Sequence, residues 1–260
     1  MLMLIAPSKT QECNCSCGVE TTQPLLLQES QLLIEELKQY SVADLAKLMK
    51  MSERLALQTF QRMSDFELPF NTQNACPAIT VFQGDVYSKI RLDDYRTEEN
   101  EYLQKHLRIL SGLYGILRPF DLMQVYRLEM GCKLATHLGK NLYEFWGERI
   151  TAEVKRILAG HTEAILVNLA STEYSRVLNM KSLPGSVLQV DFKERKGDAY
   201  RTVAIHAKRA RGMMVDFAVK NRVKKSIELK AFQQDGYSFH PDLSSNEHYC
   251  FTRASFPTSC

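Results

Sequence analysis

At 260 residues, 45% hydrophobic and 24% charged, the chain has the composition of a folded protein with a sizeable core. That excludes wholesale disorder, collagen-like repeats and coiled coils, and no run nears the roughly 18 apolar residues of a membrane span. The formal net charge is only +3, but residues 1–100 hold nine basic against fourteen acidic side chains, while residues 201–230 hold nine basic against Asp216 and Glu228. A segment so biased points to an anionic partner.

Leu2–Ala6 reads as a buried strand ended by Pro7, too short for a secretory leader. Without an export signal, seven cysteines, an odd number, are expected as reduced thiols in a cytoplasm. Residues 11–24 are polar and loop-like. Helical patterns follow over Leu25–Gln39, Val42–Lys50 and Glu53–Met63, with Ser41 and Asp44 forming a capping box for the second. Ala78–Phe82, bounded by Pro77 and Gly84, reads as a strand. Glu98–Leu110 reads as a helix because Leu103, Leu107 and Leu110 share one stripe. Ile165–Leu169 reads as a strand, and Ser171 caps a helix to about Val177. Val187–Phe192 and Arg201–Ile205 form a strand pair across the Lys196-Gly197-Asp198 turn. Arg211–Arg222 is helical, and Tyr237–Phe239 and Tyr249–Thr252 are strand-like. With no linker or internal repeat, residues 1–260 are read as one compact mixed α/β domain, a mixed sheet flanked by helices.

Two segments offer contacts to phosphate. In Leu107-Arg-Ile-Leu-Ser-Gly-Leu-Tyr-Gly-Ile-Leu-Arg-Pro119, a tight turn holding Gly112 and Gly115 resembles a helix-hairpin-helix, whose backbone N–H groups meet nucleic-acid phosphates. Two residues separate the glycines, where the usual hairpin has one. In His206–Arg222, guanidinium groups near a helix start suit bidentate anion binding. The corresponding DNA-binding candidates are Arg108, Gly112, Tyr114, Gly115, Arg118, Lys208, Arg209, Arg211 and Arg222. A packing turn and an ordinary amphipathic helix are the competing structural explanations. Pro7–Thr10, Gly84–Tyr87 and Asn168–Tyr174 place polar residues beside strand ends, where ligands often sit. Cys13, Cys15 and Cys17 lack a second thiol pair at zinc spacing, and the six histidines form no His-x3-His pair. No metal site and no cofactor are expected.

Six segments together carry a resemblance that covers nearly the whole chain. They are Met1–Thr10, Phe82–Tyr87, His106–Gly131, Leu142–Gly147, Asn168–Tyr174 and Lys208–Met213. With them, the sequence resembles the YaaA family of peroxide-stress proteins. The resemblance implies a cytoplasmic mixed α/β protein with a helix-hairpin-helix-like element, a positively charged cleft, binding to double-stranded or branched DNA, and protection from iron-dependent oxidative damage. The chain departs from the family pattern in Ala6-Pro7-Ser8-Lys9, in Asp216, where a basic residue is common, and in Cys13-Asn-Cys-Ser-Cys17. Asp216 is expected to make the cleft less positive. Two functions remain open. One is a DNA-binding stress protein. The other is an enzyme acting on a small or nucleotide-like substrate in a strand-end pocket built by Lys9, Asp85, Tyr87, Arg127, Glu129 and Lys208.

Overall fold

The computed structural model describes residues 1–13 and 18–254. In chain order the elements are β1 (Leu2–Ile5), α1 (Leu27–Leu37), α2 (Val42–Leu48), α3 (Glu53–Ser64), β2 (Cys76–Pro77) and α4 (Ala78–Val81). There follow α5 (Thr97–His106), β3 (Leu107–Ser111), β4 (Gly115–Leu117), β5 (Leu122–Met123), α6 (Leu142–Ala159) and β6 (Ile165–Asn168). The last are α7 (Thr172–Ser175), β7 (Ser186–Lys196), β8 (Ala199–Arg201), α8 (Ala204–Lys220), β9 (Ser238–Phe239) and β10 (His248–Ala254). Among the described helices, none is long and apolar enough to cross a membrane.

An eight-stranded mixed sheet organises the molecule in the order β4-β3-β1-β6-β7-β10-β9, with β8 paired to β7. The central pairings β3-β1, β1-β6, β6-β7 and β7-β10 are parallel, and β4, β8 and β9 add antiparallel pairings. Parallel strands covered on both faces tolerate unbroken apolar runs, and all four residues of β1 are buried. β7 instead alternates, with Leu188, Val190 and Phe192 inward, the period of a strand with two unlike faces. Ser41 Oγ accepts from the Asp44 N–H and Ser52 Oγ from the Leu55 N–H, whereas Ser171 stands at the N-cap of α7 without a side-chain cap bond.

Several elements differ from the sequence expectation. Ala78–Val81 is one helical turn instead of a strand, and the Ala78 and Ile79 N–H groups donate to Asp121 O and Pro119 O. The helix expected through Leu110 stops at His106. Leu107 turns extended, and all five residues of β3 are buried between β1 and β4. A leucine spacing that also fits an apolar strand was overridden by sheet pairing. The Gly112–Gly115 segment is therefore a strand-turn-strand, not a helix-hairpin-helix. Gly115 adopts φ +69° and its α-carbon abuts Trp146, whose Nε1–H donates to Gly112 O at 2.9 Å. Strand β8 ends at Arg201, and the basic helix begins at Ala204, not Arg211. Helix α6 has no counterpart among the sequence expectations, although Asn141 caps it and Phe145, Trp146, Ile150 and Val154 face inward.

The cysteines also differ. Cys13 and Cys76 form a disulfide, which overturns the expectation of reduced thiols at these two positions. Cys15 and Cys17 lie outside the described residues. Cys132 and Cys250 are free and buried, and burial pushes the Cys132 thiol up to about 11. Among the described residues, no three His, Cys, Asp or Glu side chains are grouped to hold a metal ion.

Burial holds His106 and His161, 4.8 Å apart, down at about 4. An unfolded histidine titrates near 6.5, so between these values the unfolded chain binds more protons and stability falls as the pH falls. Values of about 4 against 6.5 correspond to a loss of about 2 kcal/mol for each histidine, and so about 4–5 kcal/mol for the pair, from pH 7 to pH 4.5. Denaturant midpoints across that range check it. H161N should flatten the slope, and an equal slope in the variant would refute the assignment.

Candidate functional site

The cleft lies at the carboxyl ends of β1 and β6, where chain connections leave in opposite directions and open α/β sheets place ligands. It has a volume of about 370 Å³, within the usual range for small-molecule sites. Five segments wall it. The turn after β1 brings Lys9, the turn after α4 brings Asp85 and Tyr87, and the stretch after β5 brings Tyr126, Arg127 and Glu129. The segment after β6 brings Glu173 and Tyr174, and α8 brings Lys208 and Arg211 from one face, three residues apart. All six enzyme candidates thus surround one cavity.

The walls are tied to each other by polar contacts. Gln11 donates through Nε2 to Ser8 O at 3.2 Å and accepts from the Tyr126 N–H through Oε1 at 2.8 Å. Gln83 N–H donates to Thr10 O, and Tyr87 Oη–H donates to Ala6 O at 2.9 Å. Tyr87 is consequently committed to the backbone, and burial beside Tyr126 and Tyr174 raises its phenol well above the ordinary range. Gly212 lets α8 approach the turn after α4 so closely that a Cβ there would sit 1.9 Å from Val86 O.

The charged groups form two sets. Glu129 bridges Lys9 at 2.8 Å and Arg127 at 3.3 Å. Asp85 accepts from Arg209 Nε at 3.1 Å, drawing Arg209 to the rim. Against these pairs, the Nε atoms of Arg127 and Arg211 are buried without an acceptor. Burial lowers the Arg211 pKa, with Asp191 partly opposing the shift. Buried guanidinium N–H groups without acceptors are costly, and an incoming oxyanion would satisfy them. Tyr126 and Tyr174 supply aromatic surface beside them, and their raised phenol pKa values follow from burial.

The DNA-binding candidates fall into different environments. Lys208 and Arg209 are exposed at the cleft and its rim, and Arg222 is exposed just beyond the far end of α8. Arg118 is held by Asp121 at 2.9 Å. Arg108 is only 6% exposed, Tyr114 is fully buried, and Gly112 and Gly115 are buried. That turn presents no open amides to a phosphate, because its glycines serve close packing instead. Asp216 is also buried, bound to Arg91 Nη2 at 3.1 Å and to Tyr95 Oη at 2.9 Å. It lines a different cavity, with Lys89, Arg91 and Arg209, and is not among the residues of the cleft. Tyr126, Glu173 and Tyr174 line the cleft but were not among the site residues named from the sequence. Their places beside Arg127 and within the Asn168–Tyr174 motif were the available signal.

A second cavity continues from the first through shared Arg127, Glu129 and Glu173, and it adds Lys47, Lys50 and Lys133. The sequence signature of the family described as peroxide stress protein YaaA matches residues 1–243. A UPF0246 protein of Acaryochloris marina is 48% identical over 253 residues, covering 97% of this chain and 100% of its own length. UPF0246 proteins of Shewanella sediminis and Dechloromonas aromatica are 45% and 42% identical over 254 residues, each covering 97% of this chain and 99% of the relative. Identity of this extent, together with a signature running from β1 to the segment before β10, means that the chain belongs to the YaaA family of peroxide stress proteins.

Proposed function

We propose that the strand-end cleft binds a phosphate-bearing, nucleotide-like ligand and serves the family's role in peroxide stress through that ligand. The observation that carries this reading is the pair of buried, acceptor-free Nε atoms of Arg127 and Arg211 in one cleft. Arg127, Arg211 and Lys208 hold the anion, and the faces of Tyr126 and Tyr174 support a planar base. The Glu129 carboxylate, between Lys9 and Arg127, is the proton-transfer candidate if the ligand is turned over. A calorimetric titration with deoxyadenosine monophosphate tests the reading. R211M should weaken binding roughly tenfold or more with the fold retained. Unchanged affinity would refute it.

A second reading takes the ligand as double-stranded or branched DNA, through which the protein would limit iron-dependent damage. The observation favouring it is the basic rim of Lys208 and Arg209, with Lys47, Lys50 and Lys133 continuing beyond Arg127. Each phosphate neutralised should contribute a slope of about −0.9 to log K against log salt. Affinity flat in salt would sink this reading.

A further inference from the structure

At the other end of the strands from the cleft, where β3 begins and α6 ends, lies a separate cavity of about 310 Å³. Lys105, Arg108, Arg118, Arg156 and His161 line it, and none of them lines the cleft. Two of the cations are already matched: Arg118 by Asp121 and Arg156 by Glu153, each at 2.9 Å. Among the described residues, neither Lys105 nor Arg108 has a carboxylate within ion-pair distance. Arg108 is 6% exposed. Its Nη1 donates to Gln104 O at 2.8 Å and Leu107 O at 2.6 Å, where α5 ends, while its buried Nε finds no acceptor. Burial lowers its pKa to about 10. Asp121, the acid that acts most strongly on Arg108, is fully buried and occupied by Thr22 Oγ1 and by Arg118 through its N–H and Nε.

The carbonyl contacts explain why Arg108 lies against the end of α5, but they leave its charge without a counterion. A sealed cation is costly unless an opposite charge completes it. Four cationic side chains and two carboxylates leave an excess of two positive charges at one cavity mouth. From this we infer that the Lys105–Arg108–Arg118–Arg156 cavity is a second anion site, taking the phosphate dianion of a small molecule, free or as a phosphomonoester. A dianion matches the excess, and its several oxygens suit an ammonium and guanidinium groups that line one cavity. This inference is independent of the cleft.

Inorganic phosphate is the probe, read by calorimetry and by the shift in thermal midpoint at constant ionic strength. The intact chain should bind it saturably. The exposed Lys105 can be changed without opening the core, and K105M should weaken binding roughly tenfold or more while keeping the unliganded midpoint. R211M should leave phosphate affinity at this cavity unchanged. The inference is overturned if phosphate gives no saturable binding, if K105M binds it as the intact chain does, or if R211M abolishes it, which would place the ion in the cleft. It is also overturned if K105M weakens binding only of a short DNA duplex, which would assign the cavity to nucleic acid. Glucose 6-phosphate competing with phosphate in the intact chain, and losing affinity in K105M, would support the phosphomonoester form.

Discussion

G212A is expected to destabilise the protein by about 2–3 kcal/mol, although alanine is the better helix former. The new Cβ would lie 1.9 Å from Val86 O and 3.0 Å from Lys89 Cβ, so α8 must move off the turn that carries Asp85 and Tyr87. For a chain of this length the thermal midpoint should fall by roughly 5–10 °C. Because Lys208 and Arg211 ride on the same helix, ligand affinity should fall as well. G147A is the control. In α6 a Cβ at Gly147 meets only Val177 O at 3.5 Å, and that substitution should be neutral or stabilising by up to about 1 kcal/mol. Scanning calorimetry of the two variants decides the matter, and equal midpoints would show that Val86 yields without cost.

Reduction of the Cys13–Cys76 bond should have a still larger effect. The two residues are 63 apart in sequence, and closing a loop of that length removes unfolded-state entropy worth about 4 kcal/mol at 25 °C in the chain-entropy account. Cys13 lies just past the segment whose backbone pairs with 81–83, and Cys76 lies in β2, which pairs with β5. The bond thus joins the strips carrying Lys9 and Arg127. A reductant should lower the denaturant midpoint of the native chain and leave that of C13S unchanged. Native alkylation without reductant should spare Cys13 and Cys76. Modification of either, or a midpoint indifferent to reductant, would count against the bond as a stabilising element.

Much of the site was legible because its polar residues sit next to recognisable stops in the apolar pattern. Pro7 closes β1, Gly84 follows the run at Ala78–Phe82, and Asn168 closes β6, so Lys9, Asp85 and Tyr174 could be placed near strand ends before their convergence was visible. The run at 78–82 was given the wrong conformation, yet the polar turn after it was still located. The region 107–118 misled for a different reason. Leucines three and four apart fit a helix, but a continuous apolar run also fits a strand enclosed on both faces. Only the partner strands β1 and β4 choose between them. Burial reversed the meaning of Arg108 and Asp216 in the same way, since a charged side chain reads as solvent-facing until its surroundings are known. The Cys13–Cys76 pairing joins positions far apart, and spacing alone carries no trace of it.

The placement of β1 has a consequence for how the chain acquires its structure. Leu2–Ile5 sits between β3 and β6, so an entirely apolar segment must wait for Leu107–Ser111 and then Ile165–Asn168 before both its edges are paired. Such long-range parallel pairing makes for slow folding, because loop-closure entropy is spent before the contacts that repay it exist. Until Ile165–Asn168 has been synthesised, the nascent chain carries an open hydrophobic edge, the kind of surface on which chaperones act and aggregation starts. Truncation before Asn168 should therefore yield insoluble chains and not a smaller folded unit.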